Sequence, residues 1–396
     1  MNIVEITGVV QEYAWGNTHF ISTLLGQEED GKPKAELWFA THPDGPSVVN
    51  ESGELLADFL EKDPEHWLGL HHLSRYGMRL PLLLKVLAID QPLSLQVHPS
   101  EEQAQQGWKR EKSVRKRLDK AFWNYKDPYG KPEMAYVLTP TTLLCGFRPL
   151  KQILEDLQAL IPKAYAEHFS VITTVQESEG ISLLFRTLYG LEVDQQRALL
   201  NEFLASVPKP KQSDSEFVSK EALVHWLAEV YPGDPGIIAP YLLHLLHLEP
   251  KEALYIETGI LHAYIRGNVV ELMSASDNVL RAGLTAKKVD LDELLRVVST
   301  AVDPVERAPT LVGTSGRLHI LTPTEDFHLM VLEEGSYTIV DRHSIELLFV
   351  TEGSARFIAE GEEKLLEQGR CYVIAEALPT YRLEVSGTLF VADVPR

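Results

Sequence analysis

One short segment places potential metal ligands on a single face of a predicted strand. Between residues 91 and 98, polar and apolar side chains alternate, and the polar ones are Ser94, Gln96 and His98. Residues two apart on a strand point to the same side, so one face is apolar and the other polar. By itself this pattern favours an ordinary solvent-exposed face over a metal site.

A second histidine segment strengthens the case for a site. His262 and Tyr264 share a face of the next candidate strand, and the Gly267-Asn268 pair that follows predicts a two-residue hairpin turn. Such a turn would place Glu271 opposite Tyr264, on the face of His262. A shift of one residue in register would move Glu271 to the other face. An imidazole, a phenol and a carboxylate converging inside apolar strands are harder to explain as a solvated edge.

Two loops add charged residues that can bind or transfer protons. Lys131 and Glu133 precede the apolar segment 135–138, and Arg281 and Lys287 lie in the stretch 276–288. Each loop alone is typical of solvated charge.

The elements that must position these residues alternate between β and α character. Residues 81–97, 253–282 and 318–394 are rich in predicted strands, whereas residues 150–248 have helical periodicity. Turn signals at Gly335, Gly353, Gly361 and Gly387 predict a small antiparallel barrel or jelly roll at the C-terminal end. The histidines of that region are well separated in sequence and are interpreted as structural: His319, His328 and His343.

Length, charge and cysteine content limit the classes of protein to which this chain can belong. The 396 residues predict two or three domains, and no apolar run approaches the roughly 20 residues of a membrane helix. The net charge of −20 disfavours nucleic acid or an anionic membrane as partner. Two distant cysteines and the lack of a secretory pattern at residues 1–6 predict a cytoplasmic protein. A basic stretch at 109–120 is interpreted as a solvated helix face, with steering of an anion as the alternative.

Several motifs together resemble the type I mannose-6-phosphate isomerases. The matching segments are Gln96-Val97-His98-Pro99, Lys131-Pro132-Glu133-Met134, His262-Ala263-Tyr264 and 276–285, with shorter matches at 13–16, 35–38 and 144–147. Each motif alone is weak, but their common order along the chain is strong. The sequence departs from many relatives at Gly130, where they have a histidine, so any role of that histidine is lost here.

The resemblance implies a mainly β fold with cupin-type antiparallel jelly-roll domains and an inserted helical domain. The expected division is a discontinuous catalytic domain (1–149 and 248–310), a helical insertion (150–247) and a structural β domain (311–396). It also implies one zinc ion per chain, with ligands at Gln96, His98, Glu133 and His262. This donor set suits Zn²⁺ and would also accept Fe²⁺, Mn²⁺ or Co²⁺.

The implied reaction interconverts mannose 6-phosphate and fructose 6-phosphate through a metal-stabilised enediolate in a monomeric enzyme. Arg281 matches a catalytic residue of the family, and Glu271 and Lys131 are the alternatives for the base. Candidate substrate-binding residues are Ser94, Lys85, Lys287 and Tyr264. The rival hypotheses are a metal-retaining cupin-like sugar-binding or regulatory protein without catalysis, and a metal-dependent oxygenase on the same fold.

Overall fold

The structure, a computed structural model, describes residues 1–113, 123–210, 219–302, 305–313, 316–340 and 342–395. These residues form twenty strands: β1 (Ile3–Thr7), β2 (Val9–Gln11), β3 (Glu36–Phe39), β4 (Val48–Val49), β5 (Leu82–Ile89), β6 (Leu95–Val97), β7 (Glu133–Val137), β8 (Thr141–Phe147), β9 (Leu243–Leu248), β10 (Ala253–Ile256), β11 (His262–Ser274), β12 (Leu280–Gly283), β13 (Thr310–Val312), β14 (Leu318–Ile320), β15 (His328–Leu332), β16 (Gly335–Ile339), β17 (Glu346–Ala359), β18 (Glu362–Glu367), β19 (Cys371–Ile374) and β20 (Tyr381–Asp393).

The same residues form twelve α-helices: α1 (Phe20–Leu24), α2 (Leu56–Leu60), α3 (Pro64–Trp67), α4 (Gly69–Tyr76), α5 (Glu101–Glu111), α6 (Leu150–Leu160), α7 (Pro162–Ala164), α8 (Glu177–Gly190), α9 (Val193–Ser206), α10 (Lys220–Val230), α11 (Ala239–Leu242) and α12 (Leu291–Val297). The predicted helical block thus extends from α6 to α11. None of the helices in the described ranges has the length and apolar character needed to cross a membrane.

The first ten-stranded sheet is built around the long strand β11. Its order is β10-β7-β11-β5-β3-β2, while β6, β8, β9 and β12 join through the first half of β11. All its pairings are antiparallel. The predicted hairpin at Gly267-Asn268 is wrong, because the chain continues through these residues as one strand. Gly267 adopts a φ of +127° there, and a Cβ on it would lie 2.3 Å from Thr141 Oγ1, so the strand bends where a larger residue would not fit.

The second ten-stranded sheet contains strands from both ends of the chain. Its order is β13-β14-β15-β20-β17-β19-β1-β4, with β16 beside β20 and β18 beside β17. The expected division at residue 310 therefore does not describe the sheets, since β1 and β4 hydrogen-bond to the C-terminal strands. Of the four predicted turns, Gly353 and Gly387 instead bend the paired strands β17 and β20, where each lies opposite the other.

One apolar core joins the two sheets. Val4 of β1 and Val86 of β5 belong to the same buried cluster as residues of β17 and β20. Within it the rings of Phe39 and Phe349, from different sheets, have centroids 4.9 Å apart. Because this core is continuous, the C-terminal sheet supports the sheet that carries the candidate site.

The helical block explains why one face of β6 is apolar. Leu95 and Val97 are buried in a cluster that includes Leu144 of β8 and the helical residues Ile153 and Leu184. The helices thus cover the apolar face of β6, and its polar face is turned towards the cavity described below. In the basic stretch, Arg110 pairs with Glu293, while residues 114–122 lie outside the part that the structure describes.

Candidate active site

Three adjacent strands place Gln96, His262 and Arg281 side by side. Gln96 in β6 lies opposite His262 in β11 and, on its other edge, opposite Arg281 in β12. Directly paired residues of antiparallel strands have their side chains on the same face of the sheet. The pairing therefore brings together residues from three separate motifs of the sequence.

Both histidines are oriented by backbone carbonyl oxygens. His98 Nδ1 lies 2.7 Å from the oxygen of Asn278, and His262 Nδ1 lies 3.0 Å from the oxygen of Ile260. A carbonyl oxygen only accepts hydrogen bonds, so each Nδ1 carries the proton and donates it. Burial lowers the pKa of His98 to about 4, which keeps its ring neutral. Each Nε2 then presents a lone pair, as a metal-ligating imidazole does.

Glu133, the first residue of β7, lies between these two nitrogens. Its Oε1 is 3.2 Å from His98 Nε2 and its Oε2 is 3.2 Å from His262 Nε2. The three side chains are at most 2% exposed. Burial raises the pKa of Glu133, but the interactions of its carboxylate with His98 and Lys131 outweigh this and hold the pKa well below its usual value.

Only some of the potential metal-ligand atoms of this cluster have a hydrogen-bond partner in the described ranges. Lys131 Nζ lies 2.8 Å from Glu133 Oε1, whereas Glu133 Oε2 and His262 Nε2 are buried and find no hydrogen-bond partner within the described ranges. Two facing acceptors without a proton between them are unfavourable in a buried site unless a cation lies between them. His98, Glu133 and His262 have ligand atoms within 4.8 Å of one another, so this donor set fits a divalent metal ion.

The cluster borders a cavity of about 680 Å³. Nine of the predicted site residues line it: Lys85, Ser94, Gln96, Lys131, Glu133, Tyr264, Glu271, Arg281 and Lys287. His98 and His262 lie behind Glu133. The structure therefore brings every predicted site residue to one cavity.

Glu271 and Lys85 form the wall opposite the strand β6. They are paired across β11 and β5, and Lys85 Nζ lies 3.8 Å from Glu271 Oε2 and 3.3 Å from Glu36 Oε2. Burial, together with the charge of Glu133, raises the pKa of Glu271 to about 8. Burial by itself lowers the pKa of Lys85. The carboxylates of Glu36, Glu271 and Glu133 have the larger opposite effect, so the pKa of Lys85 is raised.

Tyr264 and Glu271 face the same cavity although they are an odd number of residues apart in one strand. In a regular strand such residues would lie on opposite faces. The pairing of β11 with β8 is irregular between Tyr264 and Arg266, which inserts the extra residue that restores a common face. Burial and the nearby charge of Glu271 raise the pKa of Tyr264. The predicted convergence is confirmed, but by a bulge and not by a hairpin.

Arg281 and Lys287 form a cationic wall. Burial lowers the pKa of Arg281, and the charge of Arg281 in turn lowers the pKa of Lys287. Neither residue has an ion pair with a carboxylate in the described ranges. Two neighbouring cations without a counter-charge are suited to an anionic group of a ligand.

Residues without a predicted role also line the cavity. Trp38 donates its indole N–H to Glu36, and its ring lies 4.5 Å from Lys85 Nζ. Asp277 Oδ1 is 3.4 Å from His42 Nε2, which holds the pKa of Asp277 below its usual value although burial opposes this. In the sequence, only the match of segment 35–38 to the family pointed to Glu36 and Trp38. Nothing in the local sequence distinguished His42.

Asn278 ties two of the motifs together. Its buried side chain accepts from the amide of Lys126 at 2.7 Å and donates to the carbonyl oxygens of Asp127 and Tyr129 at 2.9 and 2.8 Å. This fixes the loop that leads into Lys131 and Glu133. The same residue's carbonyl orients His98, so the long motif 276–285 positions ligands as well as lining the cavity.

Comparisons with known proteins agree with this arrangement. Residues 3–150 match the model of the family described as phosphomannose isomerase type I, catalytic domain. The chain is 34% identical to the mannose-6-phosphate isomerase of Escherichia coli (strain K12), over 92% of this chain and 93% of that relative. It is also similar to the apo form of mannose 6-phosphate isomerase from Salmonella typhimurium, with a TM-score of 0.88, 30% identity and 100% of both chains covered. A structure of mannose 6-phosphate isomerase bound with zinc and yttrium has the same TM-score, identity and coverage.

Proposed function

We propose that this chain, which belongs to the type I phosphomannose isomerase family, interconverts mannose 6-phosphate and fructose 6-phosphate in the cavity beside Glu133. It is an aldose–ketose isomerase. Such an enzyme opens the sugar ring, moves a proton between C1 and C2, and stabilises the negative charge that develops on their oxygens. The rival hypothesis of a sugar-binding protein without catalysis is not favoured by the relatives.

The observation that carries the mechanistic proposal is the set of buried acceptor atoms around Glu133. We propose that Gln96, His98, Glu133 and His262 hold one divalent cation, with zinc as the native ion. The neutral tautomers of the histidines and the unpartnered Glu133 Oε2 and His262 Nε2 support this. The donor set and the zinc-bound related structure support the choice of metal. When bound, the cation would act as a Lewis acid towards the substrate oxygens.

Glu271 is the best candidate for the group that moves the proton. Its pKa of about 8 lies near the working pH of a cytoplasmic enzyme, as general acid–base catalysis requires. Lys85 Nζ, 3.8 Å away, stabilises the ionised form of this carboxylate and also pairs with Glu36 at 3.3 Å. Lys131 remains the alternative, because its Nζ lies 3.5 Å from His98 Nε2 and contacts Glu133. Arg281 serves as a hydrogen-bond donor and charge stabiliser and not as a base.

The phosphate group is assigned to the cationic wall. Lys287 lies close enough to Arg281 for their charges to repel, and Ser94 offers a hydroxyl on the same cavity. Lys85 is less suited to phosphate than the sequence suggested, since Glu36 and Glu271 already share its charge. We assign Tyr264 to the sugar, because it lines the same cavity.

For the architecture we propose a cupin-type jelly roll carrying the site, with residues 150–247 as a helical insertion domain. The C-terminal unit comprises residues 311–396 with β1 and β4 added to its sheet. We further propose a monomeric, cytoplasmic enzyme without nucleic-acid or membrane partners, consistent with its charge of −20. Light scattering of the purified protein tests the monomer.

A coupled assay for fructose 6-phosphate, run on protein whose zinc content has been measured, tests the function. We expect turnover that disappears when the metal is chelated and returns when zinc is restored. Zinc-loaded protein that binds mannose 6-phosphate without converting it would support the non-catalytic alternative and overturn the proposal.

A further inference from the structure

A second cavity lies in the C-terminal sheet, far along the chain from the residues of the isomerase site. Its volume is about 310 Å³, and it brings together His319, His328 and His343, which the sequence pattern indicated to be unrelated structural residues. These histidines are well separated in sequence, but the fold brings them to one cavity. The remaining lining residues are Arg317, Met330, Ile339, Val340, Arg342, Glu346, Asp393 and Pro395.

Most of the charges that line this cavity are already compensated. Arg342 is 1% exposed, donates from Nε to Glu346 Oε2 at 2.8 Å and binds the carbonyl oxygen of Ala375 at 2.8 Å. Tyr381 donates its hydroxyl to the same carboxylate oxygen of Glu346 at 2.7 Å. Asp393 accepts from His328 Nδ1 at 3.1 Å. Arg342 and Glu346 therefore neutralise each other, whereas Asp393 keeps its negative charge as long as His328 is neutral.

Arg317 is the exception. It donates from one terminal nitrogen to the carbonyl oxygen of Thr338, but its Nε is buried and has no hydrogen-bond partner among the residues that the structure describes. No carboxylate in the described ranges forms an ion pair with it. A buried guanidinium N–H without an acceptor is costly, and an oxygen atom of a ligand would satisfy it. The charges of the four charged lining residues, Arg317, Arg342, Glu346 and Asp393, sum to zero, so the cavity lacks the excess of negative charge that the chain carries as a whole.

A chain of hydrogen bonds connects the cavity to Asp393. His328 donates from Nδ1 to Asp393, and its Nε2 lies 3.3 Å from His319 Nδ1. When both rings are neutral, the proton of this second bond belongs to His319, and His319 Nε2 is then only an acceptor. One added proton makes His328 the donor to His319, whose Nε2 then carries a hydrogen.

We propose that this cavity binds a small oxyanion, a carboxylate or phosphate group, between Arg317 and His319, and that the His319–His328 pair takes up one proton as it binds. The added proton converts His319 Nε2 from an acceptor into a donor towards the anion. Besides this pair, the titratable or charged groups facing the site are Asp393, Glu346, Arg342 and His343. In the empty site, burial and the charges of His328 and Arg317 lower the pKa of His319, which is consistent with proton uptake only on binding.

Isothermal titration of the zinc-loaded protein with inorganic phosphate, and separately with acetate at constant ionic strength, tests the proposal. We expect one binding event beyond that of the isomerase cavity, with an affinity that increases as the pH falls from 8 to 6. Titrations in two buffers of different ionisation enthalpy should report the uptake of about one proton. The anion with the stronger event identifies the class of ligand.

Two variants and a control locate the site. Arg317→Gln should weaken the second event by on the order of tenfold or more, because a charge-assisted hydrogen bond is lost. His319→Gln keeps an N–H donor but cannot titrate, so binding should persist without its pH dependence. Arg356→Gln removes an exposed arginine from the same sheet, outside the cavity, and should change neither property.

All three variants should retain wild-type isomerase turnover, which separates this proposal from the proposed catalytic function. If Arg317→Gln binds both anions like the wild type, or if Arg356→Gln loses the second event equally, the anion site is refuted. A second event in His319→Gln that keeps the full pH dependence refutes the role of the histidine pair.

Discussion

The carbonyl oxygen of Asn278 lies 2.7 Å from Nδ1 of His98, although 180 residues separate them in the chain. This contact sets the tautomer of a proposed metal ligand, while the side chain of Asn278 holds the loop before Glu133. The long motif and the two ligand motifs are therefore one structural unit.

Asn278→Ala should destabilise the fold by about 2–4 kcal/mol, because several backbone groups of residues 126–129 lose their buried partner. It should also weaken metal binding, since the loop no longer holds Glu133 in place. Denaturant unfolding and metal titration measure the two effects. Asn50→Ala, a change in an exposed side chain, is the control and should cause little loss; equal losses in both variants would contradict the role of Asn278.

His262→Ala should abolish both metal binding and turnover. Its Nε2 is buried and points at Glu133 without another partner, so no neighbour replaces it. Loss of the Lewis acid corresponds to several kcal/mol, or more than about a thousandfold in kcat. Elemental analysis and the coupled assay measure this, with the exposed His71→Ala as control. Turnover that survives in metal-free His262→Ala would remove the metal from the proposed mechanism.

Arg281→Ala should lower kcat by roughly a hundredfold while the metal stays bound, as expected when a donor to developing negative charge is removed. Arg281→Lys should recover only part of this loss, since lysine cannot reproduce the planar guanidinium. Steady-state kinetics on variants of measured metal content distinguish a lower kcat from a loss of bound metal. A variant with normal kcat and a raised KM would instead assign Arg281 to phosphate binding alone.

Glu271 makes the stability of the metal-free protein depend on pH. Its pKa is raised from its usual value near 4.5 to about 8, so the folded state binds more protons than the unfolded state in that range. The resulting stabilisation is complete below the lower value and is lost as the pH rises through the upper one. We expect the free energy of unfolding to fall between pH 5 and pH 8 by at least about 1 kcal/mol more in the wild type than in Glu271→Gln. Parallel pH profiles would show that Glu271 is not the titrating group.

Gly267→Ala should destabilise the protein by about 2 kcal/mol or more, because Ala combines an unfavourable positive φ with a clash against the backbone of Thr141. The matched control is Gly53→Ala, where φ is also positive but nothing lies within 4 Å of the added Cβ. Its cost should be limited to backbone strain, about 1 kcal/mol. Thermal or denaturant unfolding of both variants measures the difference, and equal costs would show that the bend of β11 tolerates a side chain.

Local patterns in the sequence were sufficient for some features. The alternation around Gln96 correctly indicated one apolar and one polar face, although by itself it favoured a solvent-exposed polar face and not one that lines a cavity. Helical periodicity located the block from α6 to α11. These signals succeed because a strand or an amphipathic helix imposes its period on nearby residues. The resemblance of ordered motifs identified the family, which the comparisons confirm.

Other features depend on contacts that no local pattern encodes. The common face of Tyr264 and Glu271 arises from a bulge, and the membership of β1 in the C-terminal sheet arises from pairing with β19, more than 360 residues away. The raised pKa of Glu271 and the gathering of His319 and His328 in one cavity likewise require burial and distances.

The sequence by itself determined which side chains are available for a metal and a sugar phosphate, because residue type sets the chemistry. Only the tertiary structure decided how they act. Contacts with backbone carbonyl oxygens set the tautomers of His98 and His262, and Lys85 pairs with both Glu36 and Glu271. Within the described part of the chain, Nε of Arg317 is left without a hydrogen-bond acceptor. Such properties depend on which groups lie next to one another in a medium of low dielectric constant, and these neighbours are fixed only by the tertiary structure.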